Sequence, residues 1–111
     1  MSEHQHQSAF VKWCDYNHIR VFAIPNGGAR DAVTGAMLKA EGVKPGVPDL
    51  CIPIPSNDYH GLYIEMKDEK KGRLSPKQSE WLEFLNKQGY KAVVAHGFSE
   101  AMRATEEYFH E

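Results

Sequence analysis

Four short runs rich in strand formers are interleaved with four segments of helical period: Arg20–Ile24 (RVFAI), Asp49–Ile54 (DLCIPI), Leu62–Lys67 (LYIEMK) and Tyr90–Ala95 (YKAVVA). Glycine, proline or a capping residue marks the joins. Ser2 and Gln5 form a capping box that opens the first helix, along which Phe10, Trp13, Cys14 and Asn17 recur at helical spacing. Pro25-Asn26-Gly27-Gly28 stops the first strand, and a helix over Asp31–Glu41 follows, with Val33, Met37 and Leu38 as its apolar positions and Gly42 as its stop. Lys44–Pro48 is a rigid turn. Pro53 predicts that the next strand lies at an edge or carries a bulge. Asn57–Gly61 turns the chain back as a hairpin. Ser75, Pro76 and Gln78 give a strong helix start, continued by Trp81, Leu82 and Leu85 and ended by Gly89. Ser99 begins the last helix, with Ala101, Met102, Thr105, Tyr108 and Phe109 on one stripe. The order α-β-α-β-β-α-β-α implies an α/β domain, a mixed β-sheet flanked by helices.

With 111 residues, 41 % of them apolar, the chain has the size and core of one domain over 1–111. A compact chain of this length has a radius of gyration of roughly 13 Å. The apolar runs are far shorter than a membrane span and the first residues are polar, which argues against membrane insertion and a signal peptide. Cys14 and Cys51 form no metal-binding cluster and read as free core thiols in a reducing, cytoplasmic setting. Thirteen Lys and Arg against fifteen Asp and Glu give a net charge of −2. That balance excludes a simple basic phosphate binder. It leaves room for a nucleic-acid enzyme whose carboxylates hold cations. Locally the sign reverses, with five basic and two acidic residues between Lys67 and Lys77.

The chemistry concentrates at Pro48-Asp49 and Glu65-Met66-Lys67. Side chains alternate along a strand, so Glu65 and Lys67 share one face and Met66 points to the other. Hairpin pairing brings Asp49 beside Glu65. Two carboxylates hold a hard cation such as Mg²⁺. The cation polarises a phosphate and activates water, and a lysine orients that water or offsets the growing charge. The alternative for Glu65 and Lys67 is an exposed same-face ion pair. His4 and His6, two apart on a helix, do not face each other and read as solvated. Trp13 and Trp81 read as packing rather than base-stacking residues. Asn26, Gly27 and Gly28, followed by Arg30, suit a close backbone approach to DNA, and a plain turn explains them as well. Lys44, Lys70, Lys71 and Arg73 sit on loops beside the site, as phosphate contacts or as a solvated charge run.

These residues resemble the PD-(D/E)xK nuclease superfamily, and within it the virus-type replication-repair nuclease (VRR-NUC) domains. Glu3, Pro25–Gly28, Glu41–Leu50, Tyr63–Lys67, Leu74–Gln78, Trp81 and Gly89 run in family order over nearly the whole chain. The resemblance implies a restriction-endonuclease-like core and a Mg²⁺- or Mn²⁺-dependent endonuclease. Asp49 and Glu65 would be metal ligands with the Met66 carbonyl, and Lys67 the catalytic lysine. Glu3 would complete the carboxylate set, although an acidic residue also suits a first helical turn. Gln78 would be the active-site glutamine, a role set against its capping-box reach on the view that one side chain does not easily serve both. Stand-alone members look like homodimers that cut branched DNA such as four-way junctions. The setting implied is the cytoplasm of a bacterial or phage-infected cell. The final helix (Met102, Tyr108, Phe109) is a candidate dimer interface or packs back on the sheet, with the first helix and Arg30–Glu41 as alternative contact surfaces. A non-catalytic module that binds DNA structure is the rival reading, and intact Asp49, Glu65 and Lys67 speak against it.

Overall fold

The computed structural model describes residues 1–25, 31–70 and 72–110. Helix α1 (Glu3–Tyr16) starts at Ser2, whose hydroxyl accepts from Gln5 N–H while the Gln5 side chain accepts from Ser2 N–H. Strand β1 (Phe22–Ala23) is followed by α2 (Ala32–Ala40), capped by the Asp31 carboxylate on Thr34 N–H. Strands β2 (Leu50–Ile52) and β3 (Leu62–Lys67) form the expected hairpin, with Asn57 and Asp58 at positive φ in its loop. Helix α3 (Pro76–Lys87), β4 (Lys91–His96) and α4 (Phe98–Phe109) complete the chain.

The sheet order is β1-β2-β3-β4, antiparallel except for the parallel β3–β4 pair. Parallel pairing demands a crossover, and α3 provides it. One sheet face, with Leu50, Ile52, Leu62, Ile64, Met66 and Ala95, packs against Phe10 and Cys14 of α1 and Ala101 and Tyr108 of α4. The other face packs Ala92, Tyr63 and Val94 against Leu82, Leu85 and Trp81 of α3. Strand alternation therefore puts Met66 in the larger core and Glu65 with Lys67 on the α3 side.

Two expectations need correction, and one alternative is decided for Tyr108. Pro53 does not mark an edge strand, because β2 lies between β1 and β3 and ends at Ile52, just before the proline. Val33 and Met37 do not face a core: they are 70 % and 58 % exposed, and among the described residues α2 packs against no other element. The final helix packs back on the sheet, with Tyr108 buried and its hydroxyl donating to Ile54 O at 2.6 Å. Of the apolar residues on its stripe, Met102 and Phe109 stay half-buried. The radius of gyration is 14.1 Å and the longest axis 46 Å, slightly above the compact value, as an unpacked α2 would produce.

Candidate active site

The β2–β3 register pairs Leu50 with Ile64, and one further step sets Asp49 opposite Glu65. Directly opposed residues of an antiparallel pair share a face, so the two carboxylates converge on the α3 side. Asp49 lies just outside the β2 ladder and its side chain takes over the pairing: Oδ2 accepts from Met66 N–H at 2.8 Å. Its own carbonyl accepts from Ile24 N–H at 2.8 Å. Pro48 is fully buried beside it. The aspartate is thus fixed from both neighbouring strands.

Glu65 is 3 % exposed. Its Oε2 accepts from Gln78 Nε2 at 3.1 Å and lies 3.8 Å from Lys67 Nζ. Oε1 is buried with no hydrogen-bond partner when both carboxyls are ionised. A proton shared with Asp49 would supply one. Burial first, and then the Asp49 charge, push the Glu65 carboxyl up to about 8, against the pull of Lys67. A buried, half-satisfied carboxylate next to another is costly unless a cation answers it. The Lys67 side chain is only 12 % exposed, so the exposed ion-pair reading fails.

Gln78 resolves an opposition set up by the sequence. Its Oε1 accepts from Ser75 N–H at 2.9 Å, closing the capping box, while its Nε2 donates to Glu65. An amide has an acceptor at one end and donors at the other, so one side chain serves both roles. The first turn of α3 is held in place by the 44–48 loop. Gly46, at φ +91°, approaches so closely that a Cβ there would lie 2.7 Å from the Lys77 carbonyl carbon.

Glu3 stands in the first turn of α1. Its carboxyl is raised by partial burial first, then by the charge of Asp49, while Lys67 lowers it. The structure thus brings its charge toward the same cluster. Lys44, Lys70 and Arg73 are exposed on the loops before β2 and after β3. Asn26, Gly27, Gly28, Arg30 and Lys71 lie outside the described residues. His6 is a correction: it is 6 % exposed, and its Nδ1 accepts from Phe98 N–H at 2.9 Å, pinning α1 to the start of α4. Its helical spacing from Phe10 was the available signal. His4 is exposed as expected. Cys14 and Cys51 are free and buried, and burial pushes the Cys14 thiol up to about 12.

Among the described residues, no three His, Cys, Asp or Glu side chains close a cation site by themselves. Asp49 and Glu65 nevertheless fit a divalent ion. Mg²⁺ keeps several waters and takes one or two carboxylates plus substrate phosphates, and the unpartnered Glu65 Oε1 is an oxygen without a proton donor.

The family model that matches the chain is the VRR-NUC domain, over residues 1–99. A solved structure described as a VRR_NUC domain protein superposes with a TM-score of 0.82 at 32 % identity, covering 97 % of this chain and 88 % of the other. Comparison with curated proteins gave no match.

Proposed function

Because the chain belongs to the VRR-NUC domain family of nucleases, we propose that it is a Mg²⁺- or Mn²⁺-dependent DNA endonuclease acting on branched DNA such as four-way junctions. The observation that carries this reading is buried Glu65 beside half-buried Asp49, with one Glu65 oxygen unanswered and Lys67 alongside. Asp49 and Glu65 would hold the ion, with the Met66 carbonyl and Glu3 as further candidates. When bound, the ion supplies Lewis-acid polarisation of the scissile phosphate and a water of lowered pKa. Gln78 fixes the orientation of Glu65, and Met66 N–H fixes Asp49. Lys67 would orient the attacking water or offset charge on the phosphate. Exposed Lys44, Lys70 and Arg73 supply flanking phosphate contacts. Cutting a junction on two strands calls for two sites, which a C₂ homodimer provides. The buried free thiols Cys14 and Cys51 support a reducing, cytoplasmic setting.

Cleavage of four-way-junction, flap and duplex DNA in Mg²⁺, Mn²⁺, Ca²⁺ and EDTA tests the reading. Mg²⁺ and Mn²⁺ should support cutting. Ca²⁺, which accepts loose geometry and polarises water poorly, should support binding alone. Lys67→Ala should lose on the order of 10²–10³ in rate while staying folded. Full activity in EDTA or in folded Lys67→Ala would sink the mechanism. Binding without cutting under every ion would favour the non-catalytic module.

A further inference from the structure

The loop after β3 folds back over the lysine that ends that strand. An added Cβ at Gly72 would overlap Lys67 Cβ and lie 2.9 Å from Lys67 Cδ. Lys67 Cβ is fixed to the backbone of an inner strand and cannot yield, so glycine alone lets the loop come this close. The Gly72 backbone thus lies along the apolar stem of Lys67, whose ammonium stands 3.8 Å from Glu65 Oε2. A long lysine stem changes rotamer freely unless something packs on it.

His96 ties the loop down. The parallel β3–β4 register sets His96 beside Lys67. Ala92 and Val94 of the same strand pack toward α3, and alternation puts His96 on that side too, the face of Glu65 and Lys67. Its Nε2 lies 3.1 Å from the Gly72 carbonyl oxygen. A carbonyl only accepts, so Nε2 carries the proton and donates. Behind the ring, the Glu100 carboxylate accepts from His96 N–H at 2.9 Å and stands 3.7 Å from Nδ1. His96 is therefore steadied from α4 and reaches across to the loop. Resting on the nuclease reading, we propose that His96 is a positioning residue for Lys67: its bond to the Gly72 carbonyl clamps the loop on the lysine stem and keeps the ammonium beside Glu65. It acts through Gly72 and not on the substrate.

Three variants separate this clamp from mere packing. His96→Phe keeps a ring and removes the donor. His96→Gln keeps an N–H donor at about the same reach. Gly72→Ala pushes the loop off the stem and leaves β4 untouched. Single-turnover cleavage at saturating enzyme in Mg²⁺ should fall about 10- to 100-fold in His96→Phe and Gly72→Ala, as misplacement of a reacting group does. His96→Gln should stay within about threefold of wild type, and DNA affinity by anisotropy in Ca²⁺ within about twofold for all three. Trypsin, which cuts after Lys70 and Arg73, gives a readout that needs no activity: it should cut this loop faster in His96→Phe and at the wild-type rate in His96→Gln. Wild-type turnover in folded His96→Phe or in folded Gly72→Ala overturns the proposal. So does an equal loss in His96→Gln, which would make the histidine a packing residue, and so does a loss confined to affinity. Wild-type protein that cuts no DNA under any ion sinks the nuclease reading, while faster tryptic cutting of His96→Phe would still show the clamp. Normal cleavage by His96→Phe with an unaltered loop does the reverse.

Discussion

At the residue scale the site balances stability against chemistry, and Glu65 shows the conflict most clearly. Its carboxylate is buried against Asp49 with one oxygen unpartnered. Burial pushes this carboxyl up to about 8, so the metal-free protein loses stability as pH rises from the ordinary carboxylate range to that value. Glu65→Gln keeps the volume and carries no charge. It should stabilise the metal-free protein most at about pH 9, less at neutral pH, and abolish cleavage throughout. A gain of about 1 kcal/mol would raise Tm by about 4–8 °C in a domain of this size. A lower Tm in EDTA would show that Glu65 is better compensated than its contacts indicate. Gln78 allows a second separation of roles. Gln78→Glu keeps an acceptor for Ser75 N–H and so keeps the capping box, but it replaces the donor to Glu65 with a third carboxylate. The helix start should survive by circular dichroism, while the lost donor and added charge should cost at least about 1–3 kcal/mol. Cleavage should fall about 10- to 100-fold at temperatures where the variant is folded, as misplacement of a reacting group does. Unchanged turnover would reduce Gln78 to a cap. Asp49, Glu65 and Lys67 were legible in the sequence because strand alternation and a hairpin are local rules. The burial of His6 was not, since its partner Phe98 lies 92 residues away.

Among the elements, the first turn of α3 and the 44–48 loop act as one unit that sets Gln78 against Glu65. Gly46→Ala tests that unit. It forces a side chain into positive φ and drives Cβ to 2.7 Å from the Lys77 backbone. A left-handed non-glycine residue costs about 1–3 kcal/mol, and the clash displaces the turn that carries Gln78. Chemical denaturation should show that loss, with a fall in cleavage persisting at temperatures where the variant is fully folded. Gly35→Ala is the internal comparison: it sits inside α2, where an added Cβ would meet nothing within 4 Å. It should gain up to about 1 kcal/mol, the helix preference of alanine over glycine. Caps and breakers made all eight elements readable in order, because each signal lies within a few residues. The apolar positions of α2 were visible too. A periodic pattern says that a face is apolar and leaves open what covers it.

For the whole molecule, that uncovered face becomes the argument about assembly. Val33 and Met37 stand one turn apart on α2, 70 % and 58 % exposed, and Phe22 on the edge strand is 50 % exposed. Between Ala32 and Ala40 the only charged residue is Lys39, so two copies could bring this helix together across a two-fold axis with little like-charge repulsion. The final helix offers less, because Tyr108, Ala101 and Thr105 are buried and Met102 and Phe109 are half-buried. Light scattering at micromolar concentration should therefore give twice the 12.6 kDa chain mass. Val33→Glu with Met37→Glu should return the chain mass, since four carboxylates would then face one another across the axis. These substitutions touch no core position, so the monomer should remain folded by circular dichroism. It should still nick one strand at a time and lose the paired incisions that resolve a four-way junction. A wild-type mass of one chain would remove the dimer and move the expected substrate from junctions to flaps, where a single cut suffices. A dimer that survives both substitutions would move the interface away from α2, to the first or the final helix.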